Sequence, residues 1–283
     1  MKLEAKNALR ITFIFLLLTE ALINTQIHAQ SKDIELTAHC LDLSKYGLPS
    51  RNVRLLCKSR FLVGYSDETK TPLWTIERMS RLRVPVSNSR KTSFFGEDAE
   101  IPENFRATLQ DYVGSGFDRG HLAAAGNYVD DPRAFQETFL LSNIAPQIGV
   151  GFNRGIWRLL EEEIRNLAQC TDELFVFTAL VFPEAGVQRS TIGNSHINIP
   201  SAFIKILYLP EQQKAISFYA ENRPHSSSNI ASLLRSVDSI EKRSSYEFFT
   251  SLPIAVEKNI EARVPTSPWG IAQQHGRCEI QTN

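Results

Sequence analysis

The chain has 283 residues, with 31 Lys and Arg set against 31 Asp and Glu, and 42% of its residues are hydrophobic. This is ordinary globular composition with room for one large or two small cores, and it excludes a low-complexity or uniformly basic chain. No linker or internal repeat divides it.

Lys2, Lys6 and Arg10 give residues 1–29 a positive start. Residues 11–18 with Ala21, Leu22 and Ile23 form a short apolar block, and Ile27, His28 and Ala29 offer a small-residue cleavage site before Gln30. The segment has the form of a secretory signal peptide, so residues 30–283 are expected to form the mature domain, secreted or periplasmic. Thr19 and Glu20 break the apolar run, which falls short of the ~20 residues of a membrane span. No membrane anchor is therefore expected in the mature chain. A mitochondrial transit peptide is the competing reading, against which stand Glu4 and the compact apolar block, since transit peptides avoid acids and are amphipathic.

Four cysteines follow, Cys40, Cys57, Cys170 and Cys278. In an exported chain that even count suggests two disulfides, with three pairings open. Cys40 with Cys57 would close a short loop, and Cys170 with Cys278 would pin the tail. No Cys-x-x-Cys or His-x-x-His spacing occurs, which disfavours zinc. Charge is uneven along the chain. From Arg51 to Lys91 ten Lys or Arg residues meet three acids, Asp67, Glu68 and Glu77, whereas from Thr92 to Leu140 three arginines meet nine acids. Arg78, Arg81, Arg83, Arg90 and Lys91 are thus expected to form a basic face able to contact phosphates.

The densest chemistry lies in Gly116-Phe117-Asp118-Arg119-Gly120-His121, which packs an acid, a guanidinium, a flexible glycine and an imidazole into four positions. A histidine that must take a proton near neutral pH needs its second ring nitrogen held by a partner, and a neighbouring arginine can hold a phosphate through two parallel bonds. That combination suits attack on a phosphodiester. Residues 139–146, an apolar run stopped by Pro146, are expected to form a buried strand. Asn153, Trp157, Leu160, Glu161 and Ile164 recur at helical spacing, so a helix is expected from Asn153 with its amide, an aromatic anchor and a carboxylate on one stripe. The implied order is strand, strand, helix. An asparagine oxygen plus a water-bridged glutamate is a set that a hard cation such as magnesium accepts. Residues 174–182 and 202–209 are apolar runs bounded by Pro183 and Pro210 and are expected as buried strands of the scaffold. His196 and His225 have no acid or arginine partner in sequence and are expected to be satisfied structural or surface residues.

In residues 114–125 and 138–147, and in Asn153, Trp157 and Glu161, the chain resembles the DNA/RNA non-specific endonucleases of the ββα-metal, or His-Me finger, superfamily, and within them the endonuclease G group. Weaker matches cover nearly the whole mature chain. The resemblance implies an α+β fold, a mixed or antiparallel central sheet flanked by helices, with a ββα-metal finger as active site. It implies a metal-dependent endonuclease that hydrolyses DNA and RNA to 5′-phosphate and 3′-hydroxyl ends, using Mg²⁺ with Mn²⁺ as substitute. His121 would be the general base, Asn153 the direct metal ligand and Glu161 a ligand through water. Asn143 would hydrogen-bond within the site and Arg119 would lie near it. Arg90 would support the phosphate, with Lys91 as rival. DNA and RNA are the expected partners, a homodimer is common among such proteins, and the mitochondrial intermembrane space is the alternative location. Two other functions compete: a nucleic-acid-binding protein of this fold with little turnover, and a phosphodiesterase for a small substrate.

Overall fold

The computed structural model describes residues 37–83, 93–184, 186–226 and 228–265, together with the backbone of 271–274 and 277–280. The expected leader 1–29 lies outside the described residues, as do Arg90 and Lys91.

In chain order the elements are α1 (Ala38–Leu43), β1 (Arg54–Cys57), β2 (Phe61–Ser66), β3 (Thr71–Met79), α2 (Leu109–Tyr112), β4 (Asp118–His121), α3 (Pro132–Thr138), β5 (Ile144–Gln147), α4 (Arg158–Ala168) and β6 (Leu174–Val181). They continue with β7 (Thr191–Ile192), β8 (Ile197–Asn198), β9 (Ala202–Leu209), β10 (Lys214–Glu221), β11 (Leu234–Arg235), α5 (Val237–Glu241), α6 (Ile254–Glu261), β12 (Ile271–Gln274) and β13 (Arg277–Ile280). Seven strands form one sheet in the order β1-β2-β3-β6-β9-β10-β11, antiparallel at every pairing. The fold is thus α+β as expected, with a central sheet that is antiparallel throughout.

β6 and β9, the two strands expected from their apolar runs, are buried at every position. Side chains alternate between the faces of a strand, so a strand covered on both sides is near-continuously apolar, here with Thr178 and Lys205 as the polar exceptions. On one face Val176, Leu180, Phe203 and Leu207 join Phe152, Trp157, Leu160 and Ile164 in a single core. On the other, Phe175 packs against Tyr46, and Phe177 against Phe248 and Phe249. α4 fits the first face because its buried residues Leu160, Ile164, Leu167 and Ala168 share one helical stripe. Each large apolar side chain so covered contributes roughly 1.5–3 kcal/mol.

Cys40 and Cys57 form the expected disulfide, with Cα atoms 6.0 Å apart, and tie α1 to β1. Cys170 is also disulfide-bonded; its expected partner, Cys278, lies in β13, whose side chains are outside the described residues. No helix among the described residues is long and apolar enough to cross a membrane.

β4 pairs antiparallel with β5 and α4 follows, which is the expected order of strand, strand and helix. Two local expectations change. Residues 139–146 do not form one strand: a 3₁₀ turn occupies Leu141–Asn143, and β5 begins at Ile144 and carries Pro146 into the ladder opposite Arg119. The helix expected from Asn153 begins at Arg158. Gly149–Trp157 coils irregularly, because Gly151 at φ 80° and Gly155 at φ −116°, ψ −115° take backbone angles that interrupt a regular helix and that glycine tolerates.

Candidate active site

Alternation along β4 puts Arg119 and His121 on one face. Phe95 lies against both: the Arg119 guanidinium carbon is 4.6 Å from its ring centre, and the His121 ring is 5.5 Å away. Phe139 meets the imidazole edge-on at 5.0 Å. Gly120 between them has no alternative, since a Cβ there would collide with the Gln147 side chain on β5. Nε2 of His121 is buried and has no hydrogen-bond partner among the described residues. Burial in this aromatic cage pushes the imidazole from its usual 6.5 down to about 4. At neutral pH the ring is therefore in the neutral form that can accept a proton.

Asp118, the acid of the same strand, is not the partner of His121. Its Oδ2 accepts a hydrogen bond from Asn153 Nδ2 at 2.9 Å and pairs with Arg154 Nε at 3.0 Å. The Asn153 NH₂ is the group that donates to Asp118, which leaves its Oδ1 as an acceptor without a partner among the described residues. Gly149 keeps this corner open: a Cβ would stand 2.8 Å from both Asp118 oxygens. Asp118, Arg119, Asn153, Phe95 and Tyr112 line a cleft of about 340 Å³. The bond from Asn153 to Asp118 was not foreseen; the available signal was an acid three positions before His121 in the same strand.

Glu161 sits farther along, on α4. Desolvation raises its carboxyl to about 7, against the opposing charges of Lys205 and Arg165. Lys205 is fully buried on β9, where its Nζ donates to the Leu122 carbonyl at 3.2 Å and to Thr178 Oγ1 at 2.7 Å, 5.1 Å from the Trp157 ring centre. Leu122 follows His121, so this side chain ties the strand that carries His121 to the main sheet. Sequence reasoning assigned residues 202–209 to scaffold alone; a single lysine inside an apolar strand was the available signal.

Asn143 is wholly buried and spends its amide on backbone: Nδ2 donates to Ala123 and Thr138 carbonyls at 2.9 Å, and Oδ1 accepts from the Ala123 amide at 2.9 Å. It braces the finger and does not face the cleft, because no polar atom is left over. The Nε2 of His225 lies 3.0 Å from the Glu221 carbonyl, and its ring stands 5.4 Å from that of Phe152. The expected basic face is largely neutralised where it is described. Arg54 pairs with Asp67, Lys58 with Asp98, Arg60 with Asp130, Arg78 with Asp42 and Glu173, and Arg81 with Asp172. Arg81 also donates its backbone N–H to Thr171, just past the C-terminal end of α4. Asn153 precedes the other end, so the helix's length, roughly 16 Å at 1.5 Å per residue, separates the two.

A profile of the family described as DNA/RNA non-specific endonuclease matches residues 41–255. Nuclease C1 of Cunninghamella echinulata var. echinulata is 31% identical over 223 residues, covering 75% of this chain and 88% of its own length. Human mitochondrial endonuclease G is 35% identical over 175 residues, 59% of this chain and 58% of its own. Among solved structures, a crystal structure of the EndoG/EndoGI complex, described as giving the mechanism of EndoG inhibition, superposes with a TM-score of 0.71 at 28% identity, over 77% of this chain and 94% of that one. With a profile match running from α1 to α6 and a finger in the same order as the resemblance requires, the chain belongs to the DNA/RNA non-specific endonuclease family, a group of metal-dependent nucleases.

Proposed function

We propose that residues 1–29 are removed as a signal peptide and that the domain 30–283, secreted or periplasmic, is a Mg²⁺-dependent, sugar-non-specific endonuclease in which His121 is the general base and Asn153 the direct cation ligand. The observation that carries this reading is that β4 alone supplies a neutral imidazole and, through Asp118, fixes the amide of Asn153 with Oδ1 free. The donor set fits a hard cation: one uncharged oxygen of fixed orientation from Asn153, and a carboxylate, Glu161, that would act through water. Mn²⁺ would serve in its place. When bound, the cation neutralises charge that develops on the phosphoryl and leaving oxygens.

The chain's own residues would do the rest. His121 takes the proton of the water that attacks phosphorus in line, and the 3′ oxygen leaves, giving 5′-phosphate and 3′-hydroxyl ends. Arg119, exposed at the cleft and held over Phe95, stands where it can bind phosphate oxygens. Arg90, or Lys91, would support the same charge by family resemblance. Asn143 and Lys205 position the strand without touching substrate.

Supercoiled plasmid and RNA incubated with the purified mature chain, with and without Mg²⁺, test the reading, with end-group analysis of the products. Cleavage of both is expected, lost in EDTA, and His121→Ala should lower turnover by roughly 10²- to 10⁴-fold. Binding without cleavage, or full activity in His121→Ala, would overturn it. N-terminal sequencing of the exported product decides between a start at Gln30 and a mitochondrial presequence.

A further inference from the structure

Away from the finger, α5 and α6 bring three carboxylates together: one oxygen each of Asp238, Glu241 and Glu261 lie within 4.8 Å of one another. Asp238 and Glu241 stand three residues apart on α5 and therefore share a side, and Glu261 ends α6. Glu261 is only 7% exposed, and its Oε1 is buried with no hydrogen-bond partner among the described residues. A buried carboxylate oxygen left unpaired is costly unless a cation or a proton faces it. The charged groups that act most strongly on Glu261 are Glu241, Glu257, Asp238 and Glu247, all acidic. The nearby Arg243 is turned elsewhere, over the Tyr219 ring at 6.0 Å.

We propose that Asp238, Glu241 and Glu261 bind a divalent cation of the calcium class, a structural site that clasps α5 to α6. Three oxygens within 4.8 Å of one another can share one such ion. Carboxylates brought from two separate helices suit the irregular, flexible oxygen shell that Ca²⁺ accepts better than the near-ideal octahedron that Mg²⁺ demands. Three carboxylates leave its remaining positions to water. The clasp bears directly on the second face of the sheet. Glu241 also accepts from the Phe248 amide at 2.7 Å, and the neighbouring Tyr246 hydroxyl donates to the Leu73 and Leu180 carbonyls at 3.1 and 2.7 Å.

The test uses the mature chain carrying Asn153→Ala, which removes the cation of the finger, stripped with EDTA and titrated with Ca²⁺. The melting temperature should rise by roughly 5–10 °C when free Ca²⁺ is about 100 times Kd, with calorimetry showing one site and Mg²⁺ giving a smaller rise. Adding Asp238→Asn and Glu261→Gln should abolish the rise. These substitutions keep the side-chain shapes and relieve repulsion, so the cation-free protein is expected to melt no lower than its parent. If Ca²⁺ gives neither heat nor a shift while Glu261→Gln is stabilising on its own, the carboxyls share a proton and the proposal fails. A Ca²⁺ shift that survives both substitutions overturns it equally.

Discussion

Asp118→Ala should act on cation affinity and leave the proton transfer largely intact, because the carboxylate touches Asn153 and not His121. Its Oδ2 holds Asn153 Nδ2 at 2.9 Å, and without it nothing decides which end of the amide would face the cation that Asn153 is proposed to bind. A hydrogen bond to a charged group contributes about 1.5–3 kcal/mol. The Asp118 side chain is 28% exposed, which favours the lower end, and the Arg154 partner is 65% exposed, so that ion pair adds little. At about 1.4 kcal/mol per factor of ten, and in line with the effect of losing a group that orients a metal ligand, the half-saturating Mg²⁺ concentration should rise about 10- to 100-fold. Initial rates of plasmid nicking across a Mg²⁺ titration measure this, with a plateau rate that recovers to within a few-fold of the parent. Asp118→Asn, which can still offer an oxygen to Asn153, should fall between the two. A lowered plateau at unchanged half-saturation would refute the reasoning, since it would place Asp118 in the reaction itself.

Four further outcomes are expected. Glu161 is raised to about 7, so its ionised form is present above that pH and is lost as pH falls through it; Mg²⁺ affinity should weaken by up to about tenfold per pH unit below 7. Lys205→Met removes the charge that opposes this rise and should move the midpoint of the Mg²⁺-affinity profile to higher pH; an unchanged or lower midpoint contradicts the coupling. Opening the disulfide between Cys40 and Cys57, with a sequence separation of 17, should cost about 3 kcal/mol in urea unfolding, and an unchanged midpoint would mean the loop is already ordered without it. Asn143→Ala cuts three buried hydrogen bonds and should destabilise the fold by about 2–4 kcal/mol, visible as a lower melting temperature. A variant that melts like the parent would show that the finger does not depend on this brace.

What the sequence by itself determined was whatever neighbouring residues decide among themselves. Residues 174–182 and 202–209, apolar runs each closed by a proline, read as buried strands, the order strand, strand, helix followed from three short segments, and the run from Gly116 to His121 with Asn153 and Glu161 pointed to the family before any contact was known. The short loop between Cys40 and Cys57 was legible in the same way. The tertiary structure decided everything that depends on which distant groups meet. The basic run from Arg51 became a set of ion pairs because Asp42, Asp98, Asp130, Asp172 and Glu173 arrive from elsewhere in the chain. The helix expected at Asn153 was displaced to Arg158 because hydrophobic spacing registers Trp157 and Leu160 but not the backbone angles of Gly155. Asp118 could be seen as an acid, yet only the approach of the Gly149–Trp157 coil showed that it orients Asn153 and leaves His121 to an aromatic cage. Spacing along a chain fixes which faces side chains share; charge neutralisation and pKa depend on burial and through-space distance, and these exist only once the chain has folded.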